Sequence, residues 1–296
     1  MDDFKPIELI AKDVFDYFFS EDPQQTSELT FTNLFMWSHR YRPKWTRWED
    51  CLLIILHPLD GLPFGLPPVG PGNKRAALDF LAKHLGKLTD EVMVCRVSKD
   101  FVEKWVDPKQ YEIIEDRDNS DYVYLTEDLI NLSGNKYHGK KNHISRFMKA
   151  YEFEYRNLDL DLVQCCLSLQ ESWCEIKDCG ESPSLMAEDM AIYEALKNYE
   201  ELDYTGGVIL INSLVEAFSL GEMLNPDTAV IHVEKANPEI SGLYAVINQL
   251  FCKEAWSGVR YINREQDLGI EGLRKAKKSY YPHHMAEKFT LRPRQA

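Results

Sequence analysis

The spacing of apolar residues changes period repeatedly along the first part of the chain. Ile7, Ile10, Val14 and Phe18 recur at intervals of three and four, which predicts an amphipathic helix closed by Pro23. A short helix follows over 28–37. Strand patterns occupy 41–48 and 51–57, and the stretch LDGLPFGLPPVGPGN at 59–73 reads as a loop with a short strand over 62–66. Beyond it the pattern predicts a helix over 76–88, a strand over 92–97, a short helix over 99–105, and strands over 111–114 and 122–125.

The second half repeats this order. A strand over 152–156 precedes a helix with Leu160, Val163, Leu167, Gln170 and Cys174 on one side. Another helix follows Pro183, with Met186, Met190, Tyr193 and Leu196 in register as its inward stripe. Strands are predicted over 207–212, 214–220 and 228–235. A helix over 240–255 presents Ile240, Leu243, Ile247, Leu250 and Phe251 to a core, and a strand over 259–263, a helix over 270–280 and a strand over 287–291 complete the chain. The segment 131–150, NLSGNKYHGKKNHISRFMKA, is basic, contains two glycines and reads as a connector. The expectation is a mixed α/β protein of two tandem domains, 1–130 and 151–296, with the chemistry in the second. Strand, two helices, a three-strand meander, helix, strand, helix, strand resembles the order of the GNAT (acyl-CoA N-acyltransferase-like) fold.

Charge adds a local contrast. The chain carries a formal net charge of −14, which opposes nonspecific binding to nucleic acid or anionic membranes. Yet 134–149 holds Lys136, Lys140, Lys141, Arg146 and Lys149 with no acid, and 272–288 holds five basic residues against Glu287 alone. These stretches read either as solvated helix faces or as an anion site in an otherwise acidic protein. The N-terminus MDDFKPIELIAKDVF has no secretory pattern, and the aliphatic runs at 52–56 and 208–211 are too short to span a bilayer, so the expected location is cytoplasmic. Seven cysteines without paired CxxC units are then expected as small core residues in a reducing compartment.

Two motifs carry a family resemblance: DYVYLTEDLINLSGNKYHGKKNHISRF at 121–147 and YINREQDLGIEGLRKAKKSYYP at 261–282. FTNLFMW near the start and VIHVEKANPE at 230–239 support them. Together they resemble a bacterial family related to the C-terminal domain of phosphatidylglycerol lysyltransferase, similar in fold to tandem-GNAT aminoacyltransferases of the FemABX type. The resemblance implies transfer of an acyl or aminoacyl group, with the acceptor end of aminoacyl-tRNA as one donor, to an amine or hydroxyl. Without the membrane-spanning half of the lipid-modifying enzymes, an acceptor as hydrophobic as a phospholipid is not expected. Ordinary acetyl-CoA is also disfavoured. Where acetyl-CoA-binding domains carry a Q/RxxGxG/A loop, this chain has EKANPEISGLY, in which Pro238 removes a donor and Glu239 adds repulsion.

Candidate chemistry gathers near the predicted strand ends. Alternation places Val230, His232 and Glu234 on one face, with Glu234 at the strand's end as a candidate base and His232 either a second base or a satisfied half-buried residue. Glu222, at the end of the preceding strand, faces the same cleft or serves a turn. Asn263, Glu265 and Gln266 are expected to line a pocket, Asp267 to cap the next helix, and Gly269 to make the turn. On that helix Arg274 and Lys277 are candidates to hold a carboxylate or phosphate, or to stabilise the oxyanion of acyl transfer. Lys136 and Lys141 extend this anion site. Tyr280 either packs or acts as a general acid. The alternative to a transferase is a non-catalytic tandem protein that binds a small anionic ligand or a protein partner. No metal constellation is present in the pattern.

Overall fold

The computed structural model describes residues 4–294. Its elements follow the predicted order. The first half contains β1 (Lys5–Pro6), α1 (Lys12–Glu21), α2 (Phe31–Met36), α3 (Ser38–Tyr41), β2 (Lys44–Trp48), β3 (Cys51–Leu56), β4 (Phe64–Gly65), α4 (Lys74–Leu85), β5 (Val94–Ser98), α5 (Lys99–Trp105), β6 (Tyr111–Glu115) and β7 (Asp121–Leu125). The second contains α6 (Thr126–Asn131), α7 (His138–Ala150), β8 (Phe153–Asn157), α8 (Leu160–Ile176), α9 (Pro183–Lys197), α10 (Tyr199–Leu202), β9 (Thr205–Ile211), β10 (Leu214–Asn225), β11 (Thr228–Ala236), α11 (Leu243–Trp256), β12 (Tyr261–Asn263), α12 (Glu271–Lys278), β13 (His284–Ala286) and β14 (Lys288–Pro293). Helix starts fall where a short polar side chain can accept a free backbone N–H. Thr30 caps α2, Asn73 caps α4, Ser98 caps α5, Asp159 caps α8, and Ser182 caps α9 with Pro183 in its first turn.

Two seven-stranded sheets share one plan. The first runs β1-β2-β3-β4-β5-β14-β6 and the second β13-β7-β12-β11-β10-β9-β8. In each, an antiparallel meander meets a parallel pair: β4 with β5 in the first, β11 with β12 in the second. The parallel register of β11 covers only Thr228, Ala229 and Val230 against Tyr261, Ile262 and Asn263. From Ile231 onward β11 has no strand partner on that side among the described residues, so the sheet opens.

The compact units differ from the predicted contiguous domains. One comprises residues 1–121, 266–274 and 285–296, the other 122–265 and 275–284. The last strand, β14, lies between β5 and β6 in the first sheet, whereas β7 pairs with β12 in the second. Apolar periodicity identifies a strand but not the sheet that receives it. The segment read as a connector belongs within the second unit, where α7 buries Ile144 and Phe147.

Two further expectations are corrected. On α9 Met186, Met190 and Tyr193 are about half exposed; of the predicted stripe only Leu196 is buried, and Ala191, Ile192 and Ala195 face inward with it. Two alanines on the buried side permit close backbone approach, which outweighs the larger residues' hydrophobicity. Among the cysteines, Cys174 and Cys179 form a disulfide where α8 ends and the chain reverses and Cys165 is exposed, while Cys51, Cys166 and Cys252 are buried thiols as expected.

Inside the first unit β14 brings a fully buried lysine. Lys288 Nζ lies 2.6 Å from Asp121 and 2.6 Å from Glu28, and Arg96 lies 2.6 Å from the same glutamate. Burial alone would raise the Glu28 pKa; Lys288 and Arg96 outweigh it and hold it below the usual carboxylate value. Removing one partner of such a buried group leaves uncompensated charge, so Lys288→Ala is expected to cost about 3–5 kcal/mol in urea unfolding. Lys99→Ala, which breaks an exposed pair with Glu287, should leave the midpoint unchanged. A Lys288→Ala loss no larger than that of Lys99→Ala would show that the buried cluster does not hold β14.

Candidate functional site at the parted strands

Where β11 leaves β12, side chains take over from backbone pairing. His232 is buried on β11, with Nε2 2.8 Å from Glu222 Oε1 and Nδ1 2.8 Å from Glu265 Oε1. Glu222 comes from β10, whose register sets it opposite Val230. Glu265 sits in a left-handed conformation just after β12, and its backbone N–H donates to Oδ1 of the buried Asn263 at 2.8 Å. Asn263 thus shapes the turn that presents Glu265. Burial alone would lower the His232 pKa, but the hydrogen bonds and charges of the two glutamates push it up to about 10. At neutral pH His232 is therefore an imidazolium that clamps two carboxylates, and it has no lone pair to act as a base. The two glutamates remain partly exposed, with side-chain accessibilities of 18% for Glu222 and 17% for Glu265.

Two residues further along, Glu234 is held by both oxygens. Arg264 Nη2 donates to Oε1 at 2.9 Å and Asn248 Nδ2 to Oε2 at 2.9 Å. Each of these partners keeps a second polar atom, Arg264 Nη1 and Asn248 Oδ1, buried without a hydrogen-bond partner. The Arg264 guanidinium lies 4.8 Å from the centre of the Tyr280 ring and 5.7 Å from that of Tyr124. Lys140 of α7 places its ammonium 4.0 Å from the same Tyr280 ring. Burial, and then the positive charge of Arg264, lower the Lys140 pKa. Burial also raises the Tyr280 phenol. Lys277 donates to the backbone carbonyls of Arg264 and Glu265, and Tyr124 Oη donates to the Lys277 carbonyl at 2.8 Å. Lys277 thereby pins the turn that carries Arg264 and Glu265.

Of the residues singled out in the sequence, Glu222, His232, Glu234, Asn263, Glu265, Lys277 and Tyr280 come together in the second unit. Gln266 and Arg274 belong to the first. There Gln266 Oε1 accepts from Ser27 at 3.4 Å, and Arg274 is taken up by Asp267 at 2.9 and 2.8 Å and by Asp118 at 2.6 Å. Asp267 is buried and also accepts from the Gly269 N–H, forming the turn. Lys136 lies 3.6 Å from Asp128 and near the rings of Tyr137 and Tyr281, and Lys141 is exposed on α7.

Sequence reasoning passed over Arg264, Lys140 and Asn248 as site residues. A signal existed for two of them. Lys140, Ile144 and Phe147 share one helical face, as do Asn248, Phe251 and Cys252, so a polar residue stands on each buried stripe. Arg264 lay unremarked in a polar run.

Three kinds of known protein resemble this chain. The profile of the family described as "Phosphatidylglycerol lysyltransferase, C-terminal" matches residues 21–292. A crystal structure of a conserved protein of unknown function from Bacteroides thetaiotaomicron is 35% identical, with a TM-score of 0.92 over 99% of this chain and 100% of that one. The structure of L-PGS from Bacillus licheniformis has a TM-score of 0.65 at 12% identity, covering 95% of this chain and 91% of that one, and that of FemX scores 0.58 at 10% identity over 97% and 96%. An uncharacterised protein of Mycoplasmoides gallisepticum is 24% identical over 64% of this chain; the match spans 61% of that protein, less than two thirds of its length. The shared architecture is that of tandem GNAT-like folds.

The charged His232 sets a pH dependence. Its folded pKa lies above the unfolded value of 6.5, so the stability it contributes is complete below that pH and is lost as the pH rises through about 10. The stability difference between the wild type and His232→Gln should therefore shrink from pH 6.5 to 10 by on the order of a few kcal/mol, measured by urea unfolding at each pH. A difference that stays flat across this window would mean that the imidazole is neutral between its glutamates.

Proposed function

The chain belongs to the family of the phosphatidylglycerol lysyltransferase C-terminal domain, and on that premise we propose that it moves an aminoacyl or other acyl group to an amine or hydroxyl acceptor at the parted strands of its second unit. The observation that carries this reading is the concentration of buried ionisable groups there. The first unit's buried ions, Lys288, Asp121, Glu28 and Arg96, pair with one another at 2.6 Å, whereas in the second unit Arg264 Nη1 is left without a hydrogen-bond partner and Glu222 and Glu265 stay partly exposed.

Attack of an amine on the acyl carbonyl creates a negative oxygen on the former carbonyl and an acidic ammonium on the attacking nitrogen; the adduct then collapses as the bond to the donor's oxygen breaks, and that oxygen leaves carrying the proton taken from the ammonium. The charge of the Arg264 guanidinium, held in place by Glu234, favours the first. Glu222 is suited to the second: His232 holds one of its oxygens, the side chain is partly exposed, and a carboxylate suffices for a proton made acidic by the attack. Glu234 then serves as a positioning residue that orients Arg264, and Lys277 fixes the turn behind both. The acceptor end of an aminoacyl-tRNA is the donor this reading favours, with Lys136 and Lys141 near the approach along α7.

Ordinary acetyl-CoA fits poorly. In the loop after β11 Asn237 bonds to Glu216 at 2.8 Å and accepts the Glu239 N–H at 3.0 Å. Its one glycine, Gly242, sits at φ 89°, where a Cβ would stand 2.7 Å from the His143 carbonyl oxygen. That glycine serves helix packing rather than a phosphate cradle.

One observation favours the non-catalytic alternative: Glu234 has both oxygens engaged and His232 is charged, so neither sequence-predicted base is available. The test is transfer of labelled amino acids from charged tRNA pools to amine and hydroxyl acceptors. Glu222→Gln is expected to lower kcat/KM by about 100-fold or more with the fold intact, while Lys149→Ala changes it little. Calorimetry with acetyl-CoA should show no micromolar binding. Absence of transfer by the wild type from every pool would replace the transferase with the ligand-binding reading.

A further inference from the structure

Around Tyr280 two cations share one carboxylate. Arg264 and Lys140 both approach the ring, at 4.8 and 4.0 Å, and Glu234 is the acid that influences both. Glu234 already gives its two oxygens to Arg264 and Asn248. Lys140, half buried, meets an aromatic face and no carboxylate among the described residues. An aromatic face attracts a cation weakly and neutralises nothing. Arg264 Nη1, buried without a hydrogen-bond partner, is an unmet donor on the other cation at this ring. An unmatched buried donor on a charged group is costly, and one at a ring that a second, acid-free cation also meets marks a group that the chain itself does not supply.

From this juxtaposition we infer that Lys140 and Arg264, set against the Tyr280 ring, form a receptor for one anionic group of the ligand, a carboxylate or a phosphate. The inference rests on the proposed function for placing the substrate at these strands, and it specifies which chemical group of the substrate is recognised. The planar guanidinium is already oriented by Glu234, so its remaining nitrogen needs no ordering when the anion arrives. Lys140 supplies the second charge from α7, an element that also carries the exposed Lys141 on its outer side. The anion site is thus shifted from the residues the sequence suggested. Arg274 has its own acids, and Lys136 has Asp128. The lowered pKa of Lys140 fits a cation that lacks its counterion, and binding an anion should raise it again.

The experiment titrates the full chain with inorganic phosphate and, separately, with acetate at constant ionic strength, by calorimetry in alkaline buffers of different ionisation enthalpy. Saturable binding with proton uptake is expected for at least one of them. The tighter anion distinguishes a phosphate-bearing ligand from a carboxylate-bearing one. Lys140→Ala should weaken the affinity at least tenfold and abolish the proton uptake, while Lys149→Ala, exposed at the far end of α7, leaves both unchanged. Arg264→Lys, which keeps the charge and loses the fork, should also weaken binding; if it does not fold, Lys140→Ala, at a half-exposed position, still decides. Binding by Lys140→Ala equal to wild type, or no saturable binding of either anion, overturns the inference. The transferase reading fails separately. Anion binding that depends on Lys140 in a protein that transfers nothing keeps the receptor and removes the transferase, whereas transfer with KM and anion affinity unaffected by Lys140→Ala does the reverse.

Discussion

The parting of β11 from β12 after Val230 is the constraint on which the second unit turns. A strand that loses its neighbour leaves backbone groups and side chains without their usual partners, and this chain fills the gap with charge. Arg264 reaches from the end of β12 to Glu234, and Glu265 reaches back to His232. Both links start from consecutive residues of one turn, and that turn is fixed by Asn263 from below and by Lys277 from the following helix. Ion pairs that bridge a gap of this kind contribute little net stability against an apolar filling, because desolvation offsets their attraction. What they provide is orientation: polar groups held in place before any ligand arrives.

Much of the architecture was legible in the sequence, because strands and helices here have clear apolar periods and their starts carry capping residues. The duplicated element order was legible for the same reason. Sheet membership was not. Nothing in the period of 288–293 says that Lys288 will lie against Asp121 and Glu28, since that depends on groups brought from distant parts of the chain. The reversed face of α9 shows a related limit: Met186, Met190 and Tyr193 have the better hydrophobic pattern, yet Ala191 and Ala195 occupy the packed side.

The polar cluster was partly legible. Alternation along β11 correctly joined His232 and Glu234 on one face, and density of polar residues marked the turn after β12. The roles were not readable, because they depend on partners. A histidine between two glutamates is a cation, the same histidine beside a lysine would be neutral, and the sequence does not say which neighbour it receives. Arg274 and Lys277 illustrate the point from adjacent turns of one helix: the first meets two aspartates, the second meets backbone carbonyls.

The position of β14 bears on how the chain is made. Synthesis delivers residues in order, and the first unit's sheet needs residues 288–293 between β5 and β6. Until those emerge, β5 and β6 each present an open edge, and Asp121 and Glu28 have no lysine to accompany them. The first unit, although it begins first, is therefore completed only after the second has been made, when residues 288–293 reach their place between β5 and β6. Such a protein cannot fold vectorially half by half, and its nascent form carries those open edges until residues 288–293 have emerged.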